Sequence, residues 1–278
     1  MNTKTINGLI DNGYAVVKNC IDKKTIDVIK KNINENLINI LKKFKRSYTK
    51  NLSKNYYETK NFLSQHEIQV ILAKKLVDSN LISKMLLSKK VFQELVGILG
   101  SDIEYQTDME LAINDKKSIN DDYLVKKFHQ EFWSGVGVES LLIWIPIHLL
   151  SGMGTMELIE KSHTWGHIPH RNREPITIPK DHKKRSVDIK EGSMLIMTAL
   201  TLHQTSKNTH QQPRIAIPIV VRNFYYPNTN NTDLLNFKKL NFSFFSKFRK
   251  ILGNKQYSPF RTLGQKRKSI FKKYNQQR

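Results

Sequence analysis

Three apolar, β-prone runs crowd into the second half of the chain and most narrow what it can become. They are SLLIWIPIHLL (140–150), SMLIMTALTL (193–202) and RIAIPIVVRNF (214–224). Each is too short to cross a bilayer, and each is bounded by turn or loop material, as strands of a folded sheet are. A fourth stretch, EYQTDMELAI (Glu104–Ile113), alternates. It puts Tyr105, Met109, Leu111 and Ile113 on one face, with Gln106, Asp108 and Glu110 on the other. Pro146 and Pro218 lie inside two of the runs and predict strand ends or sheet edges there, because proline donates no ladder hydrogen bond.

The first half reads differently. GYAVVKNCI (13–21) is β-prone, Asp22 is placed as a helix N-cap, and Ile26, Ile29, Ile33 and Leu37 then form one helical stripe. The basic segment 42–60 reads as a loop or exposed helix end, and two further helices are expected within Gln65–Leu99, ending at Gly100. Helices followed by many antiparallel-looking strands predict a β-sandwich or jelly roll with the helices packed outside.

Just ahead of the first run lies FHQEFW, in which His129 and Glu131 stand two apart. On extended backbone, residues two apart point the same way, so an imidazole and a carboxylate converge. His203 ends the second run and Arg214 follows eleven residues later. Two imidazoles and one carboxylate form a facial ligand set that leaves three positions open and suits non-haem Fe(II) and oxygen chemistry. Arg214 is placed to pair bidentately with a carboxylate on a chelating co-substrate.

These motifs, in order, resemble the phytanoyl-CoA dioxygenase family of iron- and 2-oxoglutarate-dependent oxygenases. DNGYAVVKNCIDKKTIDVIKKNI is similar to the family's opening strand and helix, and FHQEFW to its His-Gln-Asp motif. LLIWIPIHLLSGMGTMELIEKSHTWG resembles its apolar strand and Gly-Ser-His turn, and EGSMLIMTALTLHQTS with PRIAIPI its distal histidine and arginine. The resemblance runs over about 6–226. It implies a mainly β fold with flanking helices, a double-stranded β-helix (jelly roll, cupin-like) core buttressed by N-terminal helices. The implied oxygenase domain is 1–226, helical over about 22–100 with a jelly-roll core over about 101–226, followed by a basic extension, 227–278.

The resemblance also implies roles. His129, Glu131 and His203 hold iron, Arg214 clamps the distal carboxylate of 2-oxoglutarate, and Thr205 supplies a hydroxyl to that clamp. Trp144 lines the co-substrate pocket and Gln106 the substrate or co-substrate wall. Implied cofactors are Fe(II), 2-oxoglutarate and O2, for hydroxylation of a small or lipid-like metabolite. Two positions depart from the pattern. Glu131 stands where the family usually has aspartate, and Lys161 replaces the glycine before Ser162 and His163. Glu131 also argues against a halogenating branch, which vacates the carboxylate position. Plainer readings stand beside these: Trp144 as core, Thr205 as a turn cap, and His163, His167 and His170 as loop histidines or substrate contacts rather than a zinc site.

The chain carries a net charge of +22 over 278 residues, distributed unevenly. From 227 to 278 there are 13 Lys and Arg against the single acid Asp233. Phe237, Leu240, Phe244, Phe248 and Ile251 fall on one helical face there. Two readings follow: a helix docked on the barrel, or a basic amphipathic element on an anionic membrane. The basic loop Lys161–Arg185 points to an anionic substrate. Nucleic-acid demethylases of the wider superfamily carry a second arginine six residues after the first, where this chain has Val220, so no specific nucleic acid is expected. A non-catalytic basic binding module is the alternative to an enzyme. A lone cysteine, Cys20, and an N-terminus without a signal-peptide pattern predict a cytoplasmic protein, membrane-peripheral if the tail binds lipid.

Overall fold

The computed structural model describes residues 3–116, 127–225 and 236–251. Helix α1 (Thr3–Asn12) opens the chain and turns through Gly13, whose φ of +85° suits a residue without a Cβ, into strand β1 (Tyr14–Val17). An added Cβ on Gly13 would stand 2.6 Å from both His163 Nδ1 and Thr201 Oγ1, so the turn is also a close approach. Asp22 caps α2 (Lys23–Lys43), accepting from the Thr25 amide at 2.7 Å. The predicted stripe Ile26, Ile29, Ile33 and Leu37 is buried along its length.

Segment 42–60 is not merely an exposed end. It contains α3 (Leu52–Lys60), which buries Asn55, Tyr56 and Thr59. Polar groups satisfy each other there: Tyr56 donates to Asp115 at 2.8 Å, and Lys60 approaches the same carboxylate at 2.6 Å. Gln65–Leu99 holds three helices rather than two: α4 (Gln65–Asp78), the short α5 (Leu81–Leu86) and α6 (Lys89–Leu99), closed by Gly100 at φ +79°.

The strands that follow are β2 (Ile103–Gln106), β3 (Ala112–Asn114), β4 (Leu141–His148), β5 (Met156–Ile159), β6 (His170–Arg171) and β7 (Glu174–Pro175). They continue with β8 (Lys184–Ser186), β9 (Met194–Thr198), β10 (His203–Thr205), β11 (Arg214–Asn223) and β12 (Phe237–Asn241). All pair antiparallel. The large sheet runs β1-β9-β4-β11-β2-β12 with β3 beside β11, and the small one runs β10-β5-β8. The fold is a mainly antiparallel jelly roll with helices against the large sheet.

The apolar runs lack alternation because the large sheet is covered on both faces. Ile143, Ile145 and Ile147 of β4 pack into one cluster with the α2 and α4 stripes. Leu142 and Trp144 pack into another with Met156 and Leu158 of the small sheet. Each fully buried side chain of this kind contributes roughly 1.5–3 kcal/mol, which makes the register hard to shift.

Three strand expectations change. Glu104–Ile113 is broken into β2 and β3 by irregular backbone, although Tyr105, Met109, Leu111 and Ile113 stay buried as the alternation requires. Pro146 and Pro218 sit within the two central strands, not at edges. Proline is tolerated because β9 pairs with β4 only as far as Trp144, and β11 meets β3 at 214–216 and β2 at 221–223. Each proline therefore has one flank without a ladder partner among the described residues. Phe237 and Leu240, assigned by periodicity to the tail helix, lie on β12 and extend the large sheet. Arg222 covers the Phe237 ring at 3.8 Å, which gives that strand a local reason to pair.

The chain divides into two compact units, Met1–Asn241 and Phe242–Arg278. In the second, the described helix α7 (Phe244–Ile251) stacks Phe244 on Phe248, one turn apart, at 6.3 Å.

Candidate metal and co-substrate site

Histidines 129 and 203 are locked together by backbone before any ligand is considered. Each donates its amide to the other's carbonyl, at 3.0 and 3.1 Å. His203 begins β10, held by β5 through its pairing with Leu158. Gln130 is extended (φ −105°, ψ 138°), and Glu131 starts a 3-10 turn, Glu131–Ser134. One extended residue, rather than a whole strand, thus suffices to bring His129 and Glu131 together.

Gln130 itself points into the protein. Its amide nitrogen donates to the carbonyls of Leu200 and Gly166 at 2.6 and 2.9 Å, and its oxygen accepts from the Ile168 amide at 3.1 Å. This buried anchor fixes the direction of the two flanking side chains. The motif match contained Gln130, but nothing in the sequence assigned it that task.

The imidazoles are set for metal binding by their outer nitrogens. His129 Nδ1 lies 2.7 Å from the Lys127 carbonyl and His203 Nδ1 2.9 Å from the Thr201 carbonyl. A carbonyl only accepts, so each Nδ1 carries a proton and Nε2 is the ring nitrogen left to face a metal. Both Nε2 atoms face Glu131 Oε1, at 3.3 and 3.4 Å. Ligands at about 2.1 Å and right angles around one ion stand roughly 3 Å apart, so the spacing fits a facial set. The three ligand atoms lie within 4.8 Å of one another, and no other cluster of this type occurs among the described residues. His163 instead has its Nε2 2.9 Å from the Ile10 carbonyl, while His167 and His170 lie against Phe132 and Trp133.

Arg214 opens β11 and is completely buried. Nη1 donates to the carbonyls of Thr155 and Ser206 at 3.2 Å, with Met153 at 3.5 Å. Nε and Nη2 have no protein partner. Burial lowers its pKa to about 10, still high enough to keep the charge at neutral pH. A buried cation with two unmet donors in fork geometry calls for a carboxylate. Its guanidinium lies 5.8 Å from the ring centre of Trp144, which is buried on β4.

All seven residues singled out from sequence meet at one cavity of about 310 Å³: His129, Glu131, His203, Arg214, Thr205, Trp144 and Gln106. Thr205 lies two residues beyond His203 on β10, and its hydroxyl makes only a 3.9 Å contact with Met156 Sδ. Gln106 ends β2.

Asn114 was missed by the sequence reading. It lies directly opposite Arg214 in the β3–β11 register, lines the same cavity, and is buried with both side-chain polar atoms unpartnered. Its signal was parity. It continues the even-numbered face of Gln106, Asp108 and Glu110 past the point where the alternation was followed.

The departures have structural counterparts. Lys161 adopts φ +63°, the left-handed conformation for which glycine is the cheaper residue. The turn it opens holds Ser162, which donates to the Ile159 carbonyl at 2.7 Å and accepts from the Leu202 amide at 2.8 Å. The turn beside His203 is thus built as the glycine would build it, with local strain accepted.

Residues 10–216 match the family model described as Phytanoyl-CoA dioxygenase (PhyH). No curated protein matches the chain in sequence. Among solved structures, the apo form of ThoJ, titled a non-heme monooxygenase, is 14% identical with a TM-score of 0.58, covering 84% of this chain and 82% of its own. SnoK, titled a non-heme alpha ketoglutarate dependent carbocyclase from nogalamycin biosynthesis, is 15% identical with a TM-score of 0.51, covering 84% and 90%. At these identities the likeness speaks for the fold.

Proposed function

This chain belongs to the phytanoyl-CoA dioxygenase family, and on that premise we propose that it hydroxylates a small or lipid-like, anionic metabolite. It is a 2-oxoglutarate-dependent, non-haem iron enzyme, with Fe(II), 2-oxoglutarate and O2 as its cofactors. One observation carries the reading: a buried arginine with two unmet donors lines the same cavity as a preset His-Glu-His ligand group. A basic binding module has no use for that pairing.

In this reading His129 Nε2, His203 Nε2 and a Glu131 oxygen hold the metal, and the Nδ1 contacts keep both rings in the binding tautomer. Iron, with 2-oxoglutarate and O2, supplies the oxidant that inserts one oxygen atom into a substrate C–H bond, while the other leaves in succinate alongside carbon dioxide. Arg214 Nε and Nη2 would pair with the co-substrate's far carboxylate, and Thr205 Oγ1 would reach the same group from β10 in the small sheet. Trp144 walls off that carboxylate from water, which strengthens the pairing. Gln106 faces the substrate end. Glu131 departs from the usual aspartate, yet its carboxylate is already within 3.4 Å of both imidazoles, so the 3-10 turn absorbs the extra methylene.

The test is anaerobic addition of Fe(II) and 2-oxoglutarate to the full chain, read as a visible charge-transfer band. Succinate release across a metabolite panel follows. A protein that binds neither metal nor 2-oxoglutarate would return the binding-module alternative.

A further inference from the structure

The hairpin β6–β7 spans only six residues, His170–Pro175, closed by Asn172 and Arg173. Both turn residues have positive φ, +52° and +62°. Such a two-residue turn is most easily made by Asn-Gly, because its second position penalises any side chain. Here that position is an arginine. The strained residue is also the one whose side chain lines the metal and co-substrate cavity.

The hairpin is tied to the ligand segment rather than hanging free. His170 stacks on Trp133 at 4.4 Å, within the turn that starts at Glu131. Lys127, two residues before His129, pairs with Glu174 at 2.8 Å. Arg173 is therefore held over the cavity by the backbone that positions the metal ligands. The acids that line the cavity are otherwise engaged: Asp108 accepts from Asn236, Glu110 approaches His66 at 3.5 Å, and Glu131 faces the imidazoles. Arg173 is exposed and makes no ion pair among the described residues. Between it and Arg214 the walls include Leu142, Val136, Met156 and Leu111.

We propose that Arg173 is the specificity residue of this site, pairing with a carboxylate or phosphate on the substrate while the substrate's apolar part lies along those walls. The proposal rests on the oxygenase reading and names the end of the substrate that reading leaves open. Two cations at one cavity then divide the work: the buried Arg214 takes the co-substrate, and the exposed Arg173 takes the substrate's anionic group. A planar fork suits either oxyanion, which an ammonium on the same turn would match less well.

The experiment uses the full chain with saturating 2-oxoglutarate and no oxygen, following tryptophan fluorescence, to which Trp133 beneath the hairpin contributes. The probes are octanoate, octyl phosphate and the neutral octanamide. At least one anion should bind ten-fold or more tightly than octanamide, and which one does so separates a carboxylate from a phosphate substrate. Arg173→Gly keeps the turn, since glycine is the residue it prefers, and should bring the ratio within two-fold; Arg173→Lys should fall between. Arg171→Gln, on the same hairpin but outside the cavity lining, should keep the wild-type ratio. Arg173 is refuted if the wild-type protein shows no preference for either anion, if Arg173→Gly retains it, or if Arg171→Gln loses as much. Half-saturation by 2-oxoglutarate should be the same in Arg173→Gly and wild type. A protein that shows the Arg173-dependent ratio but never binds 2-oxoglutarate would overturn the oxygenase reading alone.

Discussion

Replacing Arg214 separates its two duties, and the structure says how large each is. Nη1 satisfies backbone carbonyls of Thr155 and Ser206 whether or not a co-substrate is present. Nε and Nη2 have nothing to bond until one arrives. Truncation to Ala removes both. Loss of the Nη1 bonds leaves buried acceptors unmet, costing about 1–3 kcal/mol of stability. Loss of the fork leaves the co-substrate carboxylate unpaired in a dry pocket, costing roughly 2–5 kcal/mol of binding. The lower figure already raises the half-saturating 2-oxoglutarate concentration about 30-fold. Arg214→Lys keeps a charge but not the fork, and should show an intermediate rise. Fe(II) affinity without 2-oxoglutarate should hardly move in either variant, since Arg214 touches no metal ligand. The assays are succinate release against 2-oxoglutarate concentration and a thermal melt of the same samples. A folded Arg214→Ala protein with unchanged 2-oxoglutarate dependence would refute the assignment.

Changing His129, Glu131 or His203 to Ala should each weaken Fe(II) binding by about two orders of magnitude or more, read by the anaerobic visible band; full turnover in His203→Ala would end the ligand assignment, and Glu131→Asp should be the mildest change. Gln130→Ala removes three hydrogen bonds from a buried site and should cost about 2–4 kcal/mol. That lowers the melting temperature by roughly 4–16 °C for a domain of this size; a melt within a degree of wild type would show that Gln130 is no anchor. His148, with Nε2 3.0 Å from Gln212, has its pKa depressed below 6.5, first by burial. A depressed histidine holds the folded state in its neutral form, so its contribution is full above about pH 6.5 and is lost as pH falls through the folded value. His148→Gln should flatten the melting-temperature profile between pH 7 and 5, and an unchanged slope would remove His148 from the acid response. Ending the chain at Asn241 keeps β12 and removes the tail helix. Loss of sedimentation with anionic vesicles at unchanged melting temperature supports the membrane reading, whereas a lowered melting temperature supports docking.

What the sequence revealed of this site, and what it hid, follows from the range of the interactions involved. The Ile26–Leu37 stripe and the Asp22 cap are local, set by residues within one or two helical turns, and they stand where the pattern put them. The grouping of His129, Glu131, His203 and Arg214 at one cavity was legible because such residues in that order are rare enough to stand out and their order along the chain is fixed by strand succession. Segments whose fate depends on distant partners were misread. Phe237 and Leu240 fit a helical period, but β2 offered an open edge and Arg222 a cation for the Phe237 ring, so the strand won. Pro146 and Pro218 obey the rule against ladder-donating prolines through gaps in the flanking strands that only the assembled sheet reveals.

The same distinction explains why the residues that missed detection are polar and buried. Gln130 and Asn114 are ordinary amides in sequence, and only burial converts them into an anchor and an unsatisfied cavity wall. Glu131 and Lys161 show the converse. Both break the expected residue pattern, yet the backbone around them reproduces the expected geometry, one by starting a 3-10 turn and the other by accepting a left-handed φ. The constraint in this site is therefore the placement of donor atoms rather than residue identity. The rings of His129 and His203 are oriented by Nδ1 contacts to the backbone carbonyls of Lys127 and Thr201. In this chain the backbone carbonyls orient the two imidazoles, so the convergence of His129, Glu131 and His203 does not depend on an aspartate at 131 or a glycine at 161.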